Sequence, residues 1–220
     1  MPVRKIPKNY LHVTGSFASR KNGCSIPFES ILEKDYLILL EFDPLVSGFE
    51  GQPVKVPVPG QKGSARHYVP DVLVSRVPRP DGSKEPPPLL VEVKHTSELS
   101  KKGEKFAPKF AAAKAYAAER DWEFLVVTEK DIRSTRLQNL KFLREYLEIE
   151  PIPELLDRIL ESFTDLRSGA SVESVLEALC PTENDRLIML PMIWHLVITG
   201  QLQIDMEIPV SNSTVLNLPR

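Results

Sequence analysis

Alternating apolar and polar residues predict several β-strands in the first half of the chain. Valines alternate with other residues across 54–58, and a second strand-like run covers 68–77. This period of two is typical of a strand with one buried face. The segment 78–88 holds five prolines and predicts a stiff surface loop, after which a short apolar, β-branched run covers 89–94.

A helix is expected before these strands and a crossover helix after them. Apolar residues recur from Ser25 to Phe42, and Pro27 suits a first helical turn. A second helix fits 106–120 and leads to an apolar strand at 124–128, which is expected to be buried on both faces. Strand, helix and strand at this spacing predict a βαβ unit, so strands 89–94 and 124–128 should be parallel. A helix at about 134–148 is expected to close the domain.

The last 70 residues are predicted to form a separate module. Helices fit 153–163 and 172–179, and a third begins at the N-cap Thr182 and ends at Gly200. Pro191 predicts a kink or break in this third helix. Leu202 to Ile208 alternates apolar with polar residues and predicts a strand of a β-hairpin. Three helices followed by a hairpin indicate a small winged-helix-like domain.

The charge of the chain is unevenly distributed. Residues 1–150 carry 24 Lys/Arg against 20 Asp/Glu, a net +4, whereas 151–220 carry 4 against 10, a net −6. These values sum to the overall −2. We therefore divide the chain into a basic arm (1–24), a core domain (25–150) and an acidic domain (151–220). Phosphates repel an acidic module, so the last domain is expected to bind protein rather than DNA.

Composition excludes several classes of protein. No run of 18 apolar residues is present, and the N-terminus lacks the apolar core of a secretory signal. The two cysteines, Cys24 and Cys180, have no partner pattern, which argues against a zinc site or a disulfide framework and fits a reducing cytosol. We expect a cytoplasmic protein with no membrane partner.

Candidate chemistry lies at Asp71, Glu92 and Lys94. Side chains repeat every two residues in a strand, so Glu92 and Lys94 share one face while Val91 and Val93 point to the other. Asp71 lies within the preceding strand-like run, 68–77, and can lie across from Glu92 in an antiparallel pair. A Pro-Asp turn and a Glu-x-Lys strand are also common on solvated surfaces. The burial expected for the two valines favours a functional site.

Two adjacent carboxylates repel each other, and a divalent cation between them relieves the repulsion. Oxygen ligands without a nearby His or Cys suit Mg²⁺, or Mn²⁺ in its place, and we expect two ions. Such a site can hydrolyse a phosphodiester, with Lys94 stabilising the developing charge or orienting the attacking water. Glu29 and Glu33 lie four residues apart on the expected first helix, and Glu29 can supply a third carboxylate to the metal.

Several ordered motifs resemble the TnsA family of transposon endonucleases. They are Phe28-Glu29-Ser30 with Glu33 and Asp35, Leu40-Glu41-Phe42-Asp43-Pro44, Phe49-Glu50-Gly51-Gln52-Pro53, Tyr68-Val69-Pro70-Asp71, Leu90-Val91-Glu92-Val93-Lys94, and Phe124 to Glu129 with Ile132-Arg133. The resemblance spans about 25–148. It implies a restriction-endonuclease-like α/β fold, in which helices flank a mixed sheet, followed by the small C-terminal domain.

The resemblance also implies a function. TnsA proteins cut the 5′ ends of a mobile element while a partner transposase cuts the 3′ ends, and their C-terminal domain contacts a transposition ATPase. Glu29, Asp71 and Glu92 fall on the family's acidic catalytic positions, and Lys94 falls on its catalytic lysine. Some members carry Gln where this chain has Glu92. Gln52-Pro53 matches the family pattern, but the sequence gives it no role.

Further binding residues can be proposed from position alone. Five lysines follow the Glu-x-Lys strand and could either track the DNA backbone or form a solvated helix face: Lys101, Lys102, Lys105, Lys109 and Lys114. In the acidic domain, Met189, Met192 and Trp194 could contact a protein partner if exposed, although for any one of them an ordinary core position is favoured.

Two other functions stay open at this stage. A stand-alone restriction or repair nuclease would have the same core but would cut DNA without partners. A non-catalytic, nuclease-like adaptor would link DNA ends to a protein assembly and would be expected to lack one of the acids or the lysine. All four residues are present here, which favours an enzyme.

Overall fold

The computed structural model describes residues 13–59, 65–79, 85–166 and 169–219, without the side chains of 65 and 164–166. The first twelve residues of the predicted basic arm and the centre of the proline-rich loop (80–84) lie outside the described residues. The chain forms two compact units, Met1–Arg133 and Ser134–Arg220. In the described part of the chain, no helix is both long enough and apolar enough to cross a membrane.

The first unit is a mixture of strands and helices. Its strands are β1 (Gly15–Ser19), β2 (Cys24–Phe28), β3 (Val46–Gly51), β4 (Val56–Pro59), β5 (Ala65–Tyr68), β6 (Val72–Arg76), β7 (Leu89–Val93) and β8 (Glu123–Val127). Its helices are α1 (Ile31–Glu41), α2 (Thr96–Ala118) and the short α3 (Glu129–Ile132).

A four-stranded mixed sheet forms the centre of this unit, in the order β3-β6-β7-β8. β6 and β7 are antiparallel, and β7 and β8 are parallel, which confirms both predicted pairings. β7 is buried along most of its length, whereas β8 is the edge strand and leaves Leu125 45% exposed. The expectation that 124–128 is buried on both faces is therefore wrong. An edge strand has a neighbour on one side only, so part of its surface stays open.

The segment before α1 differs from its prediction. Residues 24–28 form β2, which pairs with β1 in an antiparallel hairpin, rather than the first turns of a helix. Pro27 is tolerated there because a two-stranded ribbon has free edges, where a missing N–H costs little. The helix begins only after Ser30, whose side chain caps it by accepting a hydrogen bond from the Glu33 N–H. Glu29 therefore lies in the turn between β2 and α1.

Helix α2 is longer than the predicted 106–120 and is interrupted. It begins at Thr96, two residues after Lys94. Lys102 has non-helical backbone angles, which divide the helix in two. Its second half packs on the β4–β5 hairpin through a small apolar cluster that includes Val56, Tyr68 and Ala113. This packing brings α2 beside the strand that leads into Asp71.

The second unit is mainly helical. Its elements are α4 (Thr135–Leu143), a 3₁₀ turn (Arg144–Leu147), α5 (Pro153–Leu166), β9 (Ala170–Ser171), α6 (Val172–Leu179), α7 (Glu183–Ile198) and β10 (Val215–Leu216). The predicted helix at 134–148 thus exists, but it packs on α7 and belongs to this unit. The domain boundary lies at Arg133/Ser134 rather than at 150.

The core of the second unit is built around α7. Thr182 caps this helix in a capping box with Asp185, as the sequence indicates, and the chain leaves it at Gly200 with φ +80°. The helix continues across Pro191 without the predicted break. Met189, Met192 and Trp194 are 2%, 5% and 3% exposed. They are core residues, so the expectation that they present an exposed partner-binding surface is wrong.

Residues 202–208 do not form the predicted strand, and no hairpin follows α7 in the described part of this unit. Only Gln203 makes a β-bridge, with Asn217. The backbone beyond it is bound instead by the buried Asn139, whose amide donates to the carbonyls of Met206 and Ile208 and accepts from the Val210 N–H. A side chain that satisfies these groups replaces a partner strand. A winged-helix architecture is therefore not confirmed.

Candidate active site

Asp71 and Glu92 lie at the same end of two neighbouring antiparallel strands. Val72 pairs with Val91, which places Asp71 directly across from Glu92. The Asp71 N–H donates to the Val91 carbonyl (3.1 Å), and one Asp71 carboxylate oxygen accepts from the Val93 N–H (2.8 Å). The strand register therefore fixes the Asp71 side chain through backbone groups of the neighbouring strand.

Lys94 contacts both of these acids. Its Nζ lies 2.7 Å from Glu92 Oε1 and 3.5 Å from Asp71 Oδ2. The predicted shared face of Glu92 and Lys94 is thus confirmed. The side chains of Glu92, Asp71 and Lys94 are only 4%, 15% and 20% exposed, so their charges interact with little screening by solvent.

The ionisation of these groups reflects their burial. Burial first, and then the charge of Asp71, raises the pKa of Glu92 to about 8 despite the opposing effect of Lys94. Burial alone would lower the pKa of Lys94, but the charges of Asp71 and Glu92 outweigh it and raise that pKa. Lys94 contacts Glu92 Oε1, and Glu92 Oε2 is buried. A buried carboxylate that faces a second one is a group that a cation would stabilise.

Tyr68 is a buried neighbour of this pair that sequence reasoning left without a role. Tyr68 is 6% exposed, and its hydroxyl lies beside the Glu92 carboxylate. Burial, followed by the charge of Glu92, raises the pKa of the phenol. Lys109 Nζ lies 5.7 Å from the centre of the Tyr68 ring, within the range of a cation–π contact. The phenol therefore stays neutral beside Glu92.

Glu29 is linked to Asp71 through two hydrogen bonds that Gln52 makes. The Gln52 side-chain amide donates to Glu29 Oε1 (2.9 Å), and the Gln52 backbone N–H donates to the Asp71 carbonyl (2.8 Å). Glu33 closes the turn by accepting a hydrogen bond from the Glu29 N–H (2.7 Å). Among the described residues, no three Asp, Glu, His or Cys side chains are grouped so that they could hold one metal ion. The structure thus brings Asp71, Glu92 and Lys94 together, but it does not show the predicted cluster of three acids.

The five lysines proposed from position all lie on α2. Lys101, Lys102, Lys105 and Lys114 are exposed, and Lys109 is half-buried against Tyr68. Lys102 forms a surface ion pair with Glu98 (3.2 Å). The helix that carries these cations begins two residues after Lys94.

Glu129 holds the start of α2 in place. It accepts a hydrogen bond from the Thr96 N–H (2.8 Å) and another from the Thr96 hydroxyl, and His95 Nδ1 lies 3.4 Å away. These hydrogen bonds, the one from the Thr96 hydroxyl first, lower the pKa of Glu129 to about 2. The contact fixes the two residues that directly follow Lys94.

The lowered pKa of Glu129 predicts a pH-dependent contribution to stability. In the folded state the pKa is about 2 instead of 4.5, so the contribution is present above pH 4.5 and is lost as the pH falls from 4.5 towards 2. We expect the unfolding temperature of Glu129→Gln to fall less steeply than that of the wild type over this range. Thermal unfolding between pH 6 and pH 2.5 measures this. Glu119→Gln, an exposed control, should run parallel to the wild type, and a parallel curve for Glu129→Gln would contradict the prediction.

A mixed α/β unit in which buried carboxylates and a lysine meet at the ends of adjacent strands is typical of nucleases. Two family models match the chain: the TnsA-like endonuclease N-terminal domain over residues 43–129 and the TnsA endonuclease C-terminal domain over 131–206. The chain belongs to the TnsA family of transposon endonucleases. Asp71, Glu92, Lys94 and Gln52 lie inside the first match, and Glu29 lies before it. A search of curated proteins finds no match.

Proposed function

We propose that this chain is a Mg²⁺-dependent endonuclease that hydrolyses phosphodiesters at the 5′ ends of a transposon during cut-and-paste transposition. The observation that carries the proposal is the contact of Lys94 Nζ with both Glu92 and Asp71, in a chain of the TnsA family. Two carboxylates can hold a divalent cation, and an ammonium group beside them can stabilise the charge that develops on a phosphate.

The donor set fits a hard divalent cation. Asp71 and Glu92 supply carboxylate oxygens, and Glu92 Oε2 is not the oxygen that Lys94 contacts. Oxygen ligands without histidine or cysteine favour Mg²⁺ or Mn²⁺ over zinc. We propose that Asp71 and Glu92 hold the metal and that Glu29, which accepts a hydrogen bond from Gln52, completes the site for one or two ions.

The roles of the side chains follow from their charges. When bound, Mg²⁺ binds phosphate oxygens and lowers the pKa of a water that it holds. A lysine is ordinarily protonated near neutral pH, which makes Lys94 a poor base. Its ammonium group can donate hydrogen bonds to the attacking water and to the phosphate oxygens, where negative charge develops. Its contacts with Asp71 and Glu92 hold it beside the two carboxylates that would hold the metal.

The remaining surfaces suggest how DNA and partner proteins are bound. We propose that Lys101, Lys102, Lys105, Lys109 and Lys114 contact the backbone of the transposon end, because phosphate contacts dominate DNA affinity. The net charge of −2 predicts weak binding by the chain alone, so cleavage should require a transposase subunit assembled on the ends. The acidic C-terminal region is proposed to bind the transposition ATPase, through residues other than the buried Met189, Met192 and Trp194.

Cleavage by the reconstituted assembly tests this function. The chain, its transposase and its ATPase are incubated with DNA that carries both transposon ends, and 5′-strand cuts are measured with Mg²⁺, with Mn²⁺ and with a chelator. Asp71→Ala removes a metal ligand that is worth several kcal/mol in the transition state, so we expect the cleavage rate to fall about a thousand-fold or more. Glu119→Gln, an exposed carboxylate change in the same unit, should cut like the wild type.

Each alternative function predicts a different result. Cutting by the chain alone, at a rate similar to that of the full assembly, would indicate a stand-alone nuclease. Wild-type 5′ cutting by Asp71→Ala would defeat the assignment of the site. Calorimetry with Mg²⁺ or Ca²⁺ adds a readout besides activity: we expect binding to the wild type and its loss in Asp71→Ala/Glu92→Ala, whereas a non-catalytic adaptor would show no such binding.

A further inference from the structure

Gln52 has an unusual backbone conformation. Its φ is +49°, in the left-handed region that favours glycine, and Asp121 is the only other non-glycine residue of the described chain with positive φ. A strained residue persists where its surroundings fix it, and such residues cluster at functional sites. The chain at Gln52 is also tightly packed, because a Cβ atom added to the preceding residue, Gly51, would lie 2.8 Å from Ile26 Cγ2.

The two hydrogen bonds of Gln52 join the two sides of the active site. Its backbone N–H binds the Asp71 carbonyl, and its side-chain amide binds Glu29 Oε1. The side chain is 6% exposed, so water competes little for the second bond. Glu29 lies in the turn before the Ser30 cap, where the Glu33 carboxylate holds its backbone N–H. Gln52 therefore links the position of the Glu29 carboxylate to that of Asp71.

The side-chain amide of Gln52 is well suited to orienting the Glu29 carboxylate. An amide N–H orients a carboxylate without bringing a positive charge, whereas lysine or arginine in the same place would neutralise the carboxylate and repel a cation. Gln52 Oε1 is buried and lacks a hydrogen-bond partner among the described residues. A residue whose only task was to stabilise the fold would normally have both ends of its amide satisfied.

We propose that Gln52 is a positioning residue that holds the Glu29 carboxylate beside the Asp71–Glu92 pair, so that Glu29 can take part in metal binding. This inference rests on the proposed function, because it assumes that the site binds a divalent cation. It gives a role to the Gln-Pro motif, for which the sequence alone indicated none.

The test measures Mg²⁺ binding to the purified chain by calorimetry, together with the Mg²⁺ concentration that gives half-maximal 5′ cleavage by the full assembly. Residues that orient metal ligands typically change metal affinity about 10–100-fold when replaced. We expect Gln52→Leu to raise the half-maximal Mg²⁺ concentration by about this factor, with most of the rate recovered at saturating Mg²⁺. Because Gln52 acts through Glu29, the double variant Glu29→Gln/Gln52→Leu should require no more Mg²⁺ than Glu29→Gln alone.

Glycine substitutions separate positioning from folding. Gln52→Gly relieves the left-handed strain and keeps the backbone hydrogen bond to Asp71, but it removes the contact with Glu29. It should raise the Mg²⁺ requirement as Gln52→Leu does, with an unfolding temperature no lower than that of Gln52→Leu. Asp121→Gly is the matched control, since Asp121 has φ +55° and is exposed at the end of α2. It should leave both the Mg²⁺ requirement and the cleavage rate unchanged.

Two results would overturn the positioning role. One is an unchanged Mg²⁺ requirement in both Gln52 variants, and the other is a double variant in which the two effects simply multiply. Failure of the proposed function would look different, because Asp71→Ala would then cut normally. If Asp71→Ala loses cleavage while the Gln52 variants keep their Mg²⁺ requirement, only the role of Gln52 is refuted.

Discussion

Replacing Lys94 with methionine is expected to lower the rate of 5′-end cleavage about 10²–10³-fold, even at saturating Mg²⁺. The Lys94 ammonium group lies 2.7 Å from Glu92 and 3.5 Å from Asp71, at the point where both carboxylates meet. In our proposal it stabilises charge that develops only in the transition state, so its loss lowers the maximal rate rather than the occupancy of the metal site. Methionine keeps a long, flexible side chain, which limits the change in packing.

Comparison of variants at several Mg²⁺ concentrations distinguishes this role from that of the metal ligands. The cleavage rate of Lys94→Met should stay below that of the wild type at all Mg²⁺ concentrations. The cleavage rate of Gln52→Leu should approach that of the wild type as the Mg²⁺ concentration rises. Lys94→Arg keeps the charge but broadens the donor group, so an intermediate rate is expected. Lys130→Met, an exposed change on α3, is the control. Full recovery of Lys94→Met at high Mg²⁺ would show that Lys94 organises the metal ligands instead.

The centre of the site could be predicted because it depends on local geometry. The two-residue period of a strand places Glu92 and Lys94 on one face whatever the rest of the chain does. The connection lengths then favoured an antiparallel β6–β7 pair and a parallel β7–β8 pair, and both are present. The position of Glu29 could not be predicted in this way. It depends on a contact with Gln52, which is 23 residues away in sequence.

The errors occurred where non-local partners decide the structure. Residues 24–28 carry a helix-like apolar pattern, but β1 supplies hydrogen bonds that make them a strand. Residues 202–208 alternate like a strand, but the buried Asn139 binds their backbone and takes the place of a partner strand. Neither partner lies within the segment whose pattern was interpreted. The same limit applies to α7, because apolar residues occur on several of its sides and the sequence could not show which of them pack into the core.

Trp194→Ala is expected to destabilise the second unit by about 3–5 kcal/mol, the usual cost of removing a large aromatic side chain from a core. Trp194 is 3% exposed, and its ring packs edge-to-face on Phe142, with 5.6 Å between the ring centres. Its neighbours on α7 include Ile193, which is fully buried. A cavity at this position removes contacts from several elements at once, so the unit cannot collapse to fill it without strain.

Calorimetric unfolding of the full chain tests this, since the two units can unfold in separate transitions and circular dichroism alone would average them. We expect Trp194→Ala to lower the temperature of one transition by several degrees or more and to leave the other unchanged. Leu187→Ala on the same helix is the control, because Leu187 is 74% exposed and its truncation should cost little. If Trp194→Ala unfolds like the wild type but no longer binds the ATPase that we propose as a partner, the tryptophan is a contact residue and its assignment to the core is wrong. A loss of recruitment that merely follows unfolding would instead show that the partner recognises a surface which this core supports.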